Sequence, residues 1–409
     1  MKINWRSSTL IFGVGILLAA GVAVAVASVV PKVSFVRGAS VSTIPSQAAQ
    51  PSAVTHLSTP TPVRAVYMTQ CVVGTPSFRS ELVDLIEKTE LNAIVIDIKD
   101  YSGGIAFPTD NPVLKPFVST KCGAADMKRF VASLHEKNIY IIGRITVFQD
   151  PLYTKAHPEL AVKKSSDTKV VWKDHKGLSF IDVGARPFWE YISTLSKESY
   201  ALGFDELNFD YIRFPSDGDM KDIAYTWNKG KTKQEGLENF FKYLHDQLAP
   251  TGVVMSADLF GMVTTNYDDL NIGQVLERAL PYFDYIDPMV YPSHYPTGFN
   301  GYTNVNEHPY DIVNFSLAHA VKRTVATTTG IASFAYTRIG TSTPAIYQKP
   351  SYPASKIRPW LQSFDYPVTY TPAMVAAQIK ATTDVGLDSY LFWDPSNKYR
   401  SLKEVLSKE

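Results

Sequence analysis

The chain has 409 residues, enough for one large domain or two medium ones. Its 40 Lys and Arg residues nearly balance its 39 Asp and Glu residues, and the formal net charge of +1 gives no reason to expect a nucleic acid or an acidic partner. The hydrophobic fraction of 45% is ordinary for a globular protein, and the aromatic fraction of 12% is high.

The N-terminal residues 1–30 predict a membrane anchor. Residues 9–30 contain no charge, and Lys2 and Arg6 precede them. A helix over this run would be ~33 Å long at about 1.5 Å per residue, enough to cross a bilayer core of ~30 Å. The basic residues predict a cytoplasmic N-terminus and a single pass through the plasma membrane. Secretion after cleavage of a signal peptide remains the alternative, because Ala25-Val-Ala27 offers a cleavage site.

Residues 31–62 are rich in Ser, Thr and Pro and show no periodicity, so we expect a flexible linker. The folded domain is predicted over residues 63–409. It contains both cysteines of the chain, Cys71 and Cys122. In an exported protein these two could form a disulfide, and two separate thiols are the alternative.

Strand-like and helix-like patterns alternate along the whole predicted domain. This alternation predicts a parallel sheet, and eight repeats of it predict a (β/α)₈ TIM barrel. An open, doubly wound sheet is the alternative, although no glycine-rich phosphate turn opens any helix. The predicted strands are 64–69, 93–99, 139–148, 206–213, 253–259, 285–291, 357–364 and 389–394, and the predicted helices are 77–89, 126–137, 187–201, 234–248, 271–280, 309–323 and 372–385.

Three long connections, residues 150–183, 293–306 and 327–355, interrupt the pattern. Loops of this length inside a compact domain are usually functional. In a TIM barrel the loops that follow the strands build the active-site end. We therefore expect functional side chains in these loops and at the ends of the strands.

The fourth predicted strand carries an unusual row of polar side chains. Glu206, Asn208 and Asp210 share one face, opposite Leu207 and Phe209. Both faces of a strand in the middle of an α/β domain are usually covered by other elements, and buried carboxylates are costly unless they are paired or used. The row therefore indicates the interior mouth of a barrel or cleft.

Other predicted strands also place polar side chains near their C-terminal ends. An Asp at a strand end often caps a helix or pairs with an Arg, and we assign that role to Asp110, Asp150 and Asp205. Several such groups on one rim instead indicate a reaction site. The candidates are Asp97 and Lys99, Arg144, Arg213, Asp258, Asp287 with Tyr291, Trp360, and Trp393.

The chain shows no metal-binding or cofactor motif, so we expect neither a metal nor a cofactor. Cleavage of a glycosidic bond needs two carboxyl groups and little else. Aromatic side chains near the rim offer flat faces for sugar rings. His294 and His175 lie in the long loops, where they could touch a substrate.

Residues 63–397 resemble a family of glycoside hydrolases of bacterial envelopes, which implies a TIM barrel and a polysaccharide or glycan substrate. The resemblance covers most of the predicted strands in order. It rests on the segments 95–104, 204–215, Ser256-Ala-Asp-Leu-Phe-Gly261, 287–295, 358–362 and Leu391-Phe-Trp-Asp-Pro-Ser-Asn397.

The segment 203–215 also resembles the fourth strand of chitinase-type barrels, Asp-Gly-x-Asp-x-Asp-x-Glu. Asp205 and Asp210 match its first and third acidic positions, Asn208 stands in place of the second acid, and Ile212 stands where the catalytic glutamate belongs. The chitinase mechanism therefore cannot be transferred directly. An α-amylase-like arrangement fits better, because its nucleophile ends strand four and its proton donor ends strand five. That resemblance implies Asp210 as nucleophile or base and Asp258 as acid.

Two hypotheses follow for the function. In the first, the protein is a glycoside hydrolase in which Asp97, Lys99, Arg144 and Arg213 orient the substrate and tune the carboxyl groups. We expect further substrate contacts from Asp287, Tyr291, His294, Trp360 and Trp393. In the second, the barrel binds carbohydrate without cleaving it, as the departure at Ile212 would allow, or serves as an envelope scaffold.

Overall fold

The computed structural model describes residues 54–406. The predicted anchor, residues 1–30, and the linker up to residue 53 lie outside the described residues. Between residues 54 and 406, no helix is both long enough and apolar enough to cross a membrane.

Eleven strands occur in the described part of the chain. Eight of them form a closed, all-parallel barrel in the order β1-β11-β10-β6-β5-β4-β3-β2. In chain order the strands are β1 (Arg64–Met68), β2 (Ala93–Lys99), β3 (Tyr140–Thr146), β4 (Glu206–Asp210), β5 (Val254–Phe260), β6 (Tyr285–Met289), β7 (Thr328–Thr329), β8 (Thr337–Ile339), β9 (Ile346–Gln348), β10 (Trp360–Gln362) and β11 (Tyr390–Trp393).

Helices lie between most of the barrel strands. Several begin at clear sequence signals, such as Thr232, whose side chain accepts from the backbone of Glu235 while the Glu235 carboxylate accepts in return. The helices are α1 (Gln70–Val73), α2 (Pro76–Lys88), α3 (Met127–Glu136), α4 (Pro151–Ala156), α5 (Arg186–Leu202), α6 (Lys233–Leu248), α7 (Leu276–Ala279), α8 (Pro309–Val325), α9 (Pro372–Asp384) and α10 (Arg400–Leu406).

The predicted TIM barrel is confirmed, because β1 pairs with both β2 and β11 and so closes the sheet. This closure rules out the open, doubly wound alternative. All eight predicted strands form, with ends that differ by a few residues. The largest difference is in β10, which was predicted over residues 357–364 and forms only over Trp360–Gln362. Strand β4 stops at Asp210, before its predicted end, because Tyr211 turns the backbone to a φ of +52°.

Several elements differ from the sequence prediction, and helices α1, α4 and α10 form where no helix was predicted. The helix predicted over residues 271–280 shrinks to α7, because Leu270, Asn271 and Gly273 all adopt positive φ and cannot continue a helix. The loop predicted over residues 327–355 contains a small antiparallel sheet in the order β7-β9-β8. These strands are short and largely exposed, so they lack the apolar alternation that would reveal them.

Two apolar layers position the site. The larger packs the outward face of the strands, such as Ile94, Ile96 and Ile98 of β2, against the helices. The smaller lies inside the barrel and includes Tyr67 and Trp360. Apolar residues thus fill both the outer layer and part of the interior, and polar side chains occupy the rest of the interior.

A disulfide joins Cys71 to Cys122 and leaves no free cysteine in residues 54–406. The sequence left open whether these residues pair. The bond links α1, which follows β1, to the segment between β2 and α3. It therefore ties together two connections at the C-terminal end of the barrel, where the site lies.

Candidate active site

A row of paired residues brings polar side chains from neighbouring strands to one level inside the barrel. Asp97 of β2 pairs in register with Arg144 of β3, which pairs with Asn208 of β4, which in turn pairs with Ser256 of β5. In parallel strands, residues in register point to the same face. The polar face predicted for β4 is therefore confirmed as an interior face, and it continues across the neighbouring strands.

The lowest part of this interior is an ion-pair cluster. Arg358 is fully buried and donates to Glu206 and, through Nε, to Asp287 at 3.1 Å. The Ser256 hydroxyl donates to Glu206 at 2.6 Å. Burial raises the pKa of Asp287 to about 6, although Arg358 acts in the opposite direction. This cluster holds β4, β5, β6 and the segment just before β10 together beneath the site.

Asp258 lies above this cluster and is almost completely buried. Its Oδ1 atom accepts from Trp360 Nε1 at 2.7 Å and from Asn208 Nδ2 at 2.8 Å. Burial, and after it the nearby carboxylates of Asp210 and Asp287, raise the pKa of Asp258 well above its usual range. The surroundings of Asp258 therefore favour its protonated form.

Arg144 connects three carboxyl groups at the C-terminal end of the barrel. It donates through Nη1 to Asp97 at 2.6 Å and through Nη2 to Asp210, and its Nε lies 3.8 Å from Oδ2 of Asp258. The Tyr67 hydroxyl also donates to Asp97. One guanidinium group thus fixes the positions of Asp210 and Asp258 relative to each other.

Asp210 ends β4 in a sharply turned backbone. Its Oδ1 atom accepts from the backbone N–H of Tyr211 at 2.5 Å. A φ of +52° is uncommon for a residue with a large side chain, and such conformations cluster at functional sites. The turn directs Tyr211 and Arg213 to the same cavity as Asp210.

A cavity of about 270 Å³ opens above Asp210 and Asp258. Its aromatic side chains come from the strands β4, β5, β6, β10 and β11 or from the residues just after them, and Tyr291 packs against Trp393 with ring centres 5.3 Å apart. The lining residues are Arg144, Asp210, Tyr211, Arg213, Asp258, Phe260, Gly261, Met262, Met289, Tyr291, His294, Tyr295, Trp360 and Trp393. The cavity is thus a largely aromatic pocket with two carboxyl groups and two guanidinium groups.

The structure brings together most of the residues that the sequence singled out. Asp97 lies directly behind Arg144 and is buried. Both catalytic candidates line the cavity, as do six of the predicted substrate contacts: Arg144, Arg213, Tyr291, His294, Trp360 and Trp393.

Three predicted substrate contacts do not line the cavity: Asp97, which lies behind Arg144, and also Asp287 and Lys99. Asp287 is fully buried below the cavity in its ion pair with Arg358. Lys99 was expected on the same face as Asp97, but the pairing of β2 with β3 shifts between these two residues. Lys99 Nζ instead donates to Thr146 O at 2.6 Å and lies 2.8 Å from Asp150 Oδ2, and both side chains are inaccessible to solvent. Neither residue lines the cavity.

Sequence reasoning missed several residues that support the site. Tyr67 donates to Asp97 behind Arg144, and Glu206 pairs with Arg358 in the cluster below Asp258, yet none of the three was assigned a role. Asn208 appeared only as part of the polar row. An inward-facing Tyr at the end of β1 and an Arg just before β10 were visible signals, but their partners become apparent only once the barrel closes.

Within residues 54–406, no group of three or more His, Cys, Asp or Glu side chains is arranged to hold a metal ion. The carboxyl groups at the cavity contact Arg144, Asn208 and Trp360 instead.

One family model matches almost the whole barrel. The family described as "Putative glycosyl hydrolase domain" matches residues 65–399. The chain belongs to this family. The family resemblance inferred from the strand motifs is thereby confirmed, and the match runs from β1 to the start of α10. A search of curated proteins found no match to this chain.

One solved structure supports the barrel fold of this chain, and two others are similar to it. The chain is similar to the glycoside hydrolase domain of PgaB (BpsB) from Bordetella bronchiseptica, with 13% identity over 85% of this chain and 100% of that one, and a TM-score of 0.56. A hypothetical protein from Ruminiclostridium thermocellum ATCC 27405 is 35% identical over 47% of this chain and 96% of that one, with a TM-score of 0.43. A GH18 chitinase from Pseudoalteromonas aurantia is 11% identical over 84% of this chain and 100% of that one, with a TM-score of 0.47.

Proposed function

We propose that this protein hydrolyses a glycosidic bond in a polysaccharide, with Asp258 as the general acid and Asp210 as the nucleophile or general base. One observation carries the proposal. Two carboxyl groups on adjacent strands share one guanidinium group at the floor of an aromatic pocket. Glycoside hydrolysis uses such a pair, one group protonating the leaving oxygen while the other attacks the anomeric carbon or activates water.

The two roles follow from the two environments. Asp258 is buried next to other acids, which favours the proton that an acid catalyst must deliver. Asp210 faces a cationic donor, Arg144, and the Tyr211 N–H, which are the partners of a charged carboxylate. When two neighbouring carboxyl groups have environments that differ in this way, one can act as the acid and the other as the base.

The aromatic side chains of the pocket suit a sugar ring. Tyr291, Trp360 and Trp393 offer apolar faces, and Arg213 supplies a donor that is held between the rings of Tyr211 and Phe260 at 4.9 and 4.8 Å. Small-molecule sites commonly combine apolar walls with a few placed polar groups. We therefore propose a glycan as the substrate and keep Arg213 and the three aromatic residues as its contacts.

We also propose that the barrel works outside the cytoplasm, attached to the plasma membrane by residues 9–30 or secreted after cleavage. The Cys71–Cys122 disulfide supports an oxidising compartment. Fractionation of cells that express the full-length protein tests this proposal, because membrane, secreted and cytoplasmic pools are separated directly.

The test of the catalytic proposal is the release of reducing ends by the full-length protein. Suitable polymers are α-1,4-glucan, β-1,4-glucan, β-1,4-linked N-acetylglucosamine and peptidoglycan. We expect release from at least one of them, and none from the double variant Asp210→Asn/Asp258→Asn. Asp110→Asn is a matched control, because Asp110 is an exposed partner of Lys115 outside the cavity.

A non-catalytic carbohydrate-binding barrel is the second candidate, and the buried Ile212 favours it. This side chain occupies the position of the chitinase glutamate and cannot transfer a proton. Binding of one of the four polymers without any release of reducing ends would support this alternative and contradict the catalytic roles.

A further inference from the structure

We infer that a hollow beside the catalytic pocket, lined by Phe364, Asp365, Tyr366 and Ser396, binds the next sugar ring of the glycan chain. Its volume is about 610 Å³. This inference rests on the proposed function, since the second ring belongs to the same substrate. It adds a substrate class: a glycan of at least two residues that spans both cavities.

The hollow and the catalytic pocket are adjacent, because His294 and Trp393 line both. His294 is exposed, and the Trp393 ring packs edge-on against Phe364 with centres 4.8 Å apart. A ligand that leaves the catalytic pocket across these two rings enters the hollow directly. Because the two cavities are continuous, we expect the hollow to hold a second sugar that is attached to the first.

A buried side chain fixes the walls of the hollow. Gln362 is inaccessible to solvent and donates through Nε2 to the carbonyl oxygens of Phe364 at 3.0 Å and Tyr366 at 3.2 Å. Its Oε1 accepts from the hydroxyl of Ser293 at 2.9 Å, next to His294. The amide of Gln362 therefore joins the segment that contains Phe364 and Tyr366 to Ser293. A site whose walls are fixed in this way loses less conformational entropy when a ligand binds.

The exposed groups of the hollow match the chemistry of a sugar. Tyr366 is 60% exposed, which leaves its ring face available for stacking. In the described part of the chain, Asp365 accepts one hydrogen bond, from the backbone N–H of Tyr370 at 2.7 Å, and the rest of its carboxylate can accept from sugar hydroxyls. Asp394 cannot, because its oxygens accept from Ser396, Lys398 and Tyr399 within its own turn.

The experiment measures how binding depends on the length of the ligand. The probes are oligosaccharides of one to six residues from three series: α-1,4-glucan, β-1,4-glucan and β-1,4-linked N-acetylglucosamine. Full-length Asp210→Asn protein is titrated with each probe, with and without the additional change Tyr366→Ala. The backbone oxygen that binds Gln362 is retained in this variant, and Tyr267→Ala serves as a control because Tyr267 is 57% exposed and lines neither cavity.

We expect Tyr366→Ala to weaken the binding of oligosaccharides of two or more residues by about tenfold and to leave the binding of the monosaccharide unchanged. An equal effect on all lengths, no effect, or binding of none of the three series overturns the second-ring site. If the wild type hydrolyses a glycan but the effect of Tyr366→Ala does not depend on ligand length, the second-ring site is rejected and the proposed function is kept. If Tyr366→Ala weakens only the binding of the longer ligands but the wild type hydrolyses no glycan, the catalytic roles of Asp210 and Asp258 are rejected and the second-ring site is kept.

Discussion

Trp360 donates its indole N–H to Oδ1 of Asp258 at 2.7 Å, and Asn208 donates to the same oxygen at 2.8 Å. An oxygen that accepts two hydrogen bonds is a poor place for the acidic proton. Oδ2, which lies 3.8 Å from Arg144 Nε, is therefore the oxygen better suited to carry the proton when Asp258 acts as the acid. This arrangement presents the acid at the floor of the cavity and links its strength to the two donors.

Trp360→Phe should shift the pH dependence of hydrolysis. Donors to a carboxylate favour its charged form, so loss of the indole N–H raises the pKa of Asp258 further. Activity needs Asp258 protonated, and the alkaline limb of kcat/KM should therefore move to higher pH. Trp227→Phe is the control, because its indole donates to Glu159 O outside the cavity. An alkaline limb at the same pH in Trp360→Phe and in the wild type would show that Trp360 does not influence the pKa of the catalytic acid.

Arg144→Met should destabilise the fold by about 3–5 kcal/mol, the usual result of leaving buried carboxylates without their partner. Urea unfolding measures this change. Arg129→Met should change stability by less than about 0.5 kcal/mol, because Arg129 is exposed. Similar unfolding midpoints for the two variants would show that Arg144 does not hold the carboxyl groups together.

Arg144→Lys tests the geometry of the site apart from its charge. A lysine keeps one positive charge but cannot present the planar fork that reaches Asp97 and Asp210 together. We expect a folded protein in which kcat falls more strongly than KM rises. Wild-type kcat in this variant would contradict a positioning role for Arg144.

Lys99→Met should lower stability but not catalysis. The Lys99–Asp150 pair is buried away from the cavity, so removing one partner should cost about 3–5 kcal/mol. The added change Asp150→Asn removes the unpaired charge and should recover part of that loss, and kcat/KM of the folded fraction should match the wild type throughout. A selective rise in KM would instead return Lys99 to the substrate contacts that the sequence suggested.

The buried carboxyl of Asp97 should make stability depend on pH. Burial raises the pKa of Asp97 to about 6 against the opposing effects of Arg144 and Tyr67. Between about pH 4 and 6 the folded state then binds more protons than the unfolded state, so this contribution to the free energy of unfolding falls as pH rises. Relative to Asp97→Asn, the wild type should lose stability over this range in melts at several pH values. A difference in stability between the wild type and Asp97→Asn that stays constant over this pH range would contradict the raised pKa of Asp97.

The barrel was largely predictable because its signals are local. Strands such as β2 and β4 have clear alternation, and Thr232 and Glu235 mark a helix start by their spacing alone. The short sheet β7-β9-β8 was not predictable, because its few exposed residues carry no apolar pattern.

The site was predictable as a set of residues but not as a set of contacts. Strand position alone brought Asp210 and Asp258 to one end of the barrel. The misplacement of Lys99 came from a shift in pairing that alternation cannot show. Likewise, the burial of Asp287 depends on Arg358, which lies 71 residues away in the chain and meets it only across the closed barrel.

The most direct measurement of the catalytic proposal is kcat/KM of Asp210→Asn on a polymer that the wild type cleaves, with thermal melts to verify folding. Asparagine keeps the shape of the side chain but cannot attack the anomeric carbon or activate water as a carboxylate does. We expect a loss of at least about 10³-fold with a cooperative melt, in line with the effect of removing an acid–base group. Activity within about tenfold of the wild type would contradict the assignment of Asp210.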